Sequence, residues 1–219
     1  MSAAPEHVVY GRNPVAEARR GRRRVLREWT AEDVGAGRLE QLCGSPDHQG
    51  VVAEVEPYPY ADPGALLEDP DALVLALDQV QDPHNLGAIC RSAEAAGAAG
   101  IVICERRAVG VTPAVCKASA GAVEHLPVAR VRNLADWLIA ARDRGAWSYG
   151  ASAKAPNPIQ TLDLNGRVIF VLGGEGAGLR PRVADACDEL VSIPTAGRVG
   201  SLNVSVAAAL LAFAAGRAA

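Results

Sequence analysis

The sequence predicts an α/β fold, a mainly parallel sheet with helices on both faces. Three observations predict it. From Leu73 onward, short apolar runs alternate with segments of helical spacing. The run LVLALD, Leu73–Asp78, is apolar up to its last residue, as expected for a parallel strand covered on both faces. A glycine-bearing or polar loop follows several of these runs, where open α/β sheets hold ligands.

The elements follow in order. Residues 8–56 have a different texture: Asn13 and Pro14 suit a helix N-cap and first position, Gly21 suits its stop, and Val51–Val55 reads as a strand. Residues 57–72, PYPYADPGALLEDPDA, carry prolines, aspartates and one glycine and read as a linker. Residues 85–97 have helical spacing, with Leu86, Ile89, Ala93 and Ala96 on one face. Gly100–Cys104 is the next strand. Thr112 and Pro113 open a short helix that Gly121 closes. Residues 126–131 form a strand and 133–144 a helix. Residues 147–151, 168–172 and 190–193 complete the strands. The chain then enters a helix made almost wholly of Ala, Leu and Val, which should be buried. The expected organisation is a small α+β domain over 1–56, a linker over 57–72 and a main domain over 73–219.

Composition limits the function. At 219 residues the chain can bury a proper core. A formal charge of −3 argues against coating nucleic acid by bulk charge, so any such contact must be local. The five cysteines include no CxxC and read as reduced thiols of a cytoplasmic protein. The four histidines are dispersed, and no metal site is expected. There is no apolar signal core at the start, and the run 204–215 is too short to span a bilayer.

Five stretches carry candidate chemistry. In DQVQDPHNLGAICR, residues 78–91, Asn85 either caps a helix or lines a site. Arg91 either reaches water or clamps a phosphate, and His84 reads as structural. In LGGEGAG, residues 172–178, the glycines permit close backbone approach to a ligand, and the carboxylate of Glu175 needs a donor. A Rossmann dinucleotide loop is disfavoured, because this loop falls late and no acidic residue ends the next strand. In IPTAGRVGSLNVS, residues 193–205, Ser201, Asn203 and Ser205 sit at the mouth of the apolar helix. Polar groups beside a buried helix need partners, so they cap it or line a site. In TPAVCKASAGAVE, residues 112–124, Lys117 is either a solvated charge or a nucleic-acid contact. Finally, ARRGRRRVLR, residues 18–27, packs six arginines with no acid between them. It reads as a phosphate-facing patch, with Arg19, Arg20, Arg22, Arg23 and Arg24 as RNA contacts.

Together these stretches resemble the SpoU (TrmH-like) family of RNA ribose 2′-O-methyltransferases of the SPOUT class. The family's three motifs match DPHNLGAICR, LGGEGAGL and IPTAGRVGSLNVSVA, in order, within residues 73–219. KASAGAVEHLPV, residues 117–128, looks most like the bacterial branch that methylates a guanosine of 23S ribosomal RNA. YGRNPVAEA and SPDHQGVVAEV resemble the two ends of that branch's small RNA-binding domain, with a much shorter interval between them than the family usually has.

The resemblance implies a C-terminal deep trefoil knot, a rare exception to chain topology. It implies S-adenosyl-L-methionine held by backbone groups around Gly173, Gly174, Ile193, Thr195 and Leu202. It makes Arg91 the central catalytic residue, with Asn85, Glu175, Ser201 and Asn203 around it, and the protein a homodimer. Arginine stays protonated, so Arg91 grips the adjacent phosphate and stabilises a developing alkoxide. A phosphate oxygen, water or Glu175 takes the proton. Two other readings stay open: ribose methylation of tRNA, and an RNA-binding assembly protein that keeps the fold without chemistry.

Overall fold

The computed structural model describes residues 7–174, 176, 178–197 and 200–216. Two sheets organise them. The first contains β1 (Val8–Tyr10), β2 (Val25–Thr30) and β3 (Val51–Val55), antiparallel in the order β1-β3-β2. Between these strands run α1 (Arg12–Ala18), α2 (Ala31–Val34) and α3 (Ala36–Cys43). The helix start differs from the Asn13 expectation. Gly11, at φ 94°, occupies the cap position, and no side chain caps the helix. It stops at Ala18, before Gly21, with Arg19 as its C-cap.

The second sheet is the α/β body. Its strands are β4 (Leu73–Asp78), β5 (Gly100–Cys104), β6 (Val128–Val131), β7 (Ala146–Ala151), β8 (Asn157–Pro158), β9 (Arg167–Gly173) and β10 (Glu189–Ser192). Their order is β6-β5-β4-β9-β7-β10-β8, and every pairing among the described residues is parallel. The helices are α4 (Pro83–Ala95), α5 (Pro113–Ala118), α6 (Leu134–Asp143), α7 (Pro181–Ala186) and α8 (Val204–Ala214). Thr112 and Asn133, the residues at which the sequence starts these helices, are the N-caps of α5 and α6. None of the described helices is long and apolar enough to cross a membrane.

The two-residue period of the strands creates two cores. Leu73, Leu75 and Leu77 face α4, α5 and α8, while Val74 and Ala76 face α6 and α7. Both faces of β4 are therefore dry, which explains its unbroken apolar run. The first core also takes in Val9, Val15, Ala18, Ala53 and Val55, so the small sheet shares a continuous interior with the body. Residues 57–72 are held along their length rather than free. Tyr58 Oη donates to the carbonyls of Val123 and Leu126, Ala61 bridges to Ala129, and Leu66 and Leu67 are buried.

Candidate functional site

The carboxyl end of β4 builds the site. Asp78 closes the strand at 1% exposure, and a buried carboxylate needs a cation. Arg180 supplies it. Its backbone N–H donates to Oδ2 at 2.9 Å and its Nε to Oδ1 at 2.7 Å. The ion pair and its hydrogen bonds raise the Arg180 pKa above its ordinary value. Burial raises that of the adjacent Cys104 thiol, to which Arg180 Nη2 also donates. Asp78 thus holds both ends of the glycine loop, through strand pairing with Gly173 at one end and the ion pair with Arg180 at the other.

Inside that latch the backbone is tight. Gly174 donates its N–H to the Asp78 carbonyl at 2.9 Å, and a Cβ on it would lie 2.7 Å from the Gln79 carbonyl oxygen. A Cβ on Gly173 would collide with the backbone of Gly178. Only glycine permits this approach. Gln79 itself takes φ 62°, unusual for a residue with a side chain.

The chain then turns into α4. Asp82, not Asn85, is the N-cap, its Oδ1 accepting from the His84 N–H at 2.9 Å. That frees Asn85 to sit in the first turn, 7% exposed. Its Oδ1 accepts from Asn203 Nδ2 at 3.1 Å. Asn203 is the N-cap of α8, its own Oδ1 accepting from the Ser205 N–H at 2.8 Å. Two helix N-termini thus meet through one asparagine pair. Beside them opens a cavity of about 370 Å³ lined by Gln79, Val80, Gln81, Asp82, Asn85, Gly174 and Val204. Helix N-termini favour negative charge, so this cavity suits a phosphate or a developing alkoxide.

The structure places Asn85 and Gly174 at that cavity, with Gly173 next to it on the strand end and Asn203 joined to it through Asn85. Ile193 is half-buried against the main core, while Thr195, Ser201 and Leu202 lie exposed on the loop before α8. Ser201 does not cap α8; Asn203 does. Arg91 is exposed on α4, with no hydrogen bond or ion pair among the described residues. His84 is exposed at the helix mouth. Glu175 lies outside the described residues. No group of described residues could hold a metal ion.

The arginine run corrects one expectation. Arg23 is 7% exposed and buried in the interior, paired with Glu124, with Nε donating to Oε2 at 2.9 Å and Nη2 to Cys116 Sγ at 3.4 Å. It cannot face RNA, because leaving the Glu124 carboxylate alone in the core would be costly. The other arginines stay at the surface with partners. Arg19 pairs with Glu28, Arg20 with Glu17 and Arg24 with Glu56, while Arg22 donates to Tyr58 Oη and the Leu126 carbonyl. Glu17 and Glu28 flank the run and Glu56 and Glu124 come from further along the chain, so the run itself looked unopposed. Lys117 stands over the Tyr10 ring and donates to the Asp47 carbonyl at 2.8 Å, fastening α5 to the small sheet.

Sequence reasoning missed the Asp78–Arg180 latch and the lining role of Gln79, Gln81 and Asp82. A carboxylate ending an otherwise apolar strand was the available signal for the first. Nothing in the sequence pointed to Arg180.

A model of the SpoU rRNA Methylase family matches residues 72–213. A putative TrmH family tRNA/rRNA methyltransferase of Bacillus subtilis (strain 168), YacO, is 40% identical over 239 aligned residues, covering 97% of this chain and 96% of its own. Among solved structures, the SpoU methyltransferase AviRb from Streptomyces viridochromogenes, in complex with the cofactor AdoMet, superimposes with TM-score 0.81 and 27% identity. That match covers 96% of this chain and 89% of AviRb. An AdoMet-bound rRNA methyltransferase from Sinorhizobium meliloti gives 0.84 and 26%, covering 96% and 87%.

Proposed function

This chain belongs to the SpoU rRNA methylase family, and we propose that it methylates a ribose 2′-hydroxyl of RNA, a guanosine of 23S ribosomal RNA, from S-adenosyl-L-methionine. Membership carries methyl transfer to RNA; the ribose hydroxyl and the ribosomal target are the further reading. The observation that carries it is the Asn203–Asn85 hydrogen bond, which joins two helix N-termini beside a cavity lined by Asn85 and Gly174.

The residues present fit the methyl donor. The closed glycine turn at Gly173 and Gly174 leaves backbone as the facing surface, and in this reading Ile193 and Leu202 supply the apolar wall. Such a lining suits a neutral purine. When bound, S-adenosyl-L-methionine supplies an electrophilic methyl group on sulfur. The chain's own residues must align the ribose hydroxyl in line with that methyl and remove its proton. Asn203 and Ser201 hold the ribose. Arg91 grips the adjacent phosphate and stabilises the alkoxide. A phosphate oxygen, water or Glu175 accepts the proton.

Assembly as a homodimer is part of the same reading. Val206, Leu210 and Phe213 stand 47–53% exposed at helical spacing along α8, an apolar stripe that a second copy would cover. A one-chain mass on gel filtration at micromolar concentration overturns the dimer. The C-terminal trefoil knot is likewise part of this reading, with α8 packed on α4 and β9.

The test is in vitro methylation of 23S ribosomal RNA and of tRNA with labelled cofactor, followed by primer-extension mapping. A single ribose stop in 23S RNA is expected. Label on a base, or only in tRNA, overturns the finer reading.

A further inference from the structure

Exposed cationic charge without partners among the described residues also stands outside the arginine-rich segment. One and two strands along from β4, the carboxyl edge of the sheet carries Arg106 and Arg107 just after β5 and Arg132 directly after β6. All three are exposed, with no hydrogen bond or ion pair among the described residues. In residues 105–107 and 130–132, Glu105 is the one acid against four arginines. The fourth, Arg130, is committed, lying 3.8 Å over the Tyr60 ring and donating to its Oη at 2.6 Å.

The loop 105–111 is held in place at three points. Glu105 donates its N–H to the Val131 carbonyl at 2.9 Å, Val109 to the Val80 carbonyl at 3.0 Å, and Val111 to Tyr60 Oη at 2.9 Å. Val80 lines the cavity beside Asn85 and Gly174. The arginine loop is therefore bonded to the rim of the site. Arg107 takes φ 58°, a left-handed conformation that persists in a residue with a side chain only where the surroundings hold it. The register pairs Cys104 with Val131, which sets Arg132 level with Glu105 and next to Arg106.

Neighbouring strands lie about 4.8 Å apart, so β6 is about 10 Å from β4. That is close to the screening length of physiological salt, about 8 Å. Cations here act on phosphates next to the nucleotide in the cavity. Unpaired guanidiniums on a fixed loop grip phosphate without first giving up a carboxylate partner. Arg19, Arg20 and Arg24 lack that freedom.

We propose that Arg106, Arg107 and Arg132 form a phosphate-binding lip that seats the RNA backbone beside the target nucleotide. This rests on the RNA-methyltransferase reading above. The test compares the wild type with the triple variants Arg106→Ala/Arg107→Ala/Arg132→Ala and Arg106→Lys/Arg107→Lys/Arg132→Lys. The probe is in vitro transcribed 23S ribosomal RNA at several salt concentrations. The alanine variant is expected to bind about tenfold or more weakly, with a salt slope smaller by about 2, at about 0.7 per lost contact to single-stranded RNA. Its KM for RNA rises while kcat at saturating RNA and calorimetric binding of S-adenosyl-L-methionine hold, and the lysine variant recovers most of the affinity. Unchanged affinity and slope in the alanine variant, with a wild type that binds and methylates, overturns the lip alone. A wild type that binds the cofactor but no RNA overturns the enzyme reading and the lip with it.

Discussion

Asn203 Nδ2 donates to Asn85 Oδ1 at 3.1 Å, across 118 positions of sequence, while Asn203 Oδ1 accepts the Ser205 N–H at 2.8 Å. One side chain thus caps α8 and ties it to the first turn of α4. The two contacts are compatible because the side-chain amide has a donor end and an acceptor end.

The pair should be energetically coupled. Asn203→Ala removes a cap worth about 1 kcal/mol. Denaturant unfolding of Asn85→Ala, Asn203→Ala and the double variant is expected to show coupling of about 0.5–3 kcal/mol, as for residues in contact. Both single variants should also lose most methyl transfer. Additivity within about 0.5 kcal/mol would mean that the hydrogen bond couples nothing.

Arg91→Ala should leave stability within about 0.5 kcal/mol, because the side chain is exposed and has no partner among the described residues. Turnover is expected to collapse while calorimetric affinity for S-adenosyl-L-methionine survives. An equal loss of cofactor affinity would reassign Arg91 to the cofactor.

Arg23→Ala and Arg20→Ala separate the two halves of the arginine run. The first strands Glu124 in the interior and is expected to cost about 3–5 kcal/mol. Burial opposes the charge on Arg23, yet its bonds to Glu124 and the nearby Cys116 hold its pKa above the ordinary value. The second removes an exposed pair and should change stability by less than about 0.5 kcal/mol. Thermal melts of the two variants decide it, and similar Tm values would contradict the burial of Arg23.

The thiols predict an alkaline limit. Burial pushes Cys116 and Cys187 up from an ordinary value of 9.0 to about 12, and Cys90 upward as well. The unfolded chain ionises these thiols near pH 9 and the folded chain does not, so unfolding free energy should fall as pH rises from about 9 towards 12. Below pH 9 these groups leave it unchanged. Native alkylation at pH 8 should reach Cys43, the half-buried thiol, first. Rapid labelling of Cys90 or Cys116 would contradict the packing.

Much of the fold was legible because it follows from local chemistry. The apolar run Leu73–Asp78, the Thr112 and Asn133 caps and the glycines at 173 and 174 each announce a strand, a helix start or a tight turn by their own residue types. The three motifs also announced the family, because their order and spacing are properties of the chain. What the chain could not show was which distant groups meet. Asp82 rather than Asn85 caps α4, since cap choice depends on where the loop enters the helix. Arg180 reaches Asp78 across 102 positions, and Glu124 and Glu56 meet Arg23 and Arg24 from far along the chain. A run of like charge reads as a binding patch until folding supplies its partners. Electrostatic pairing depends on distance in space, and only the tertiary structure sets that distance.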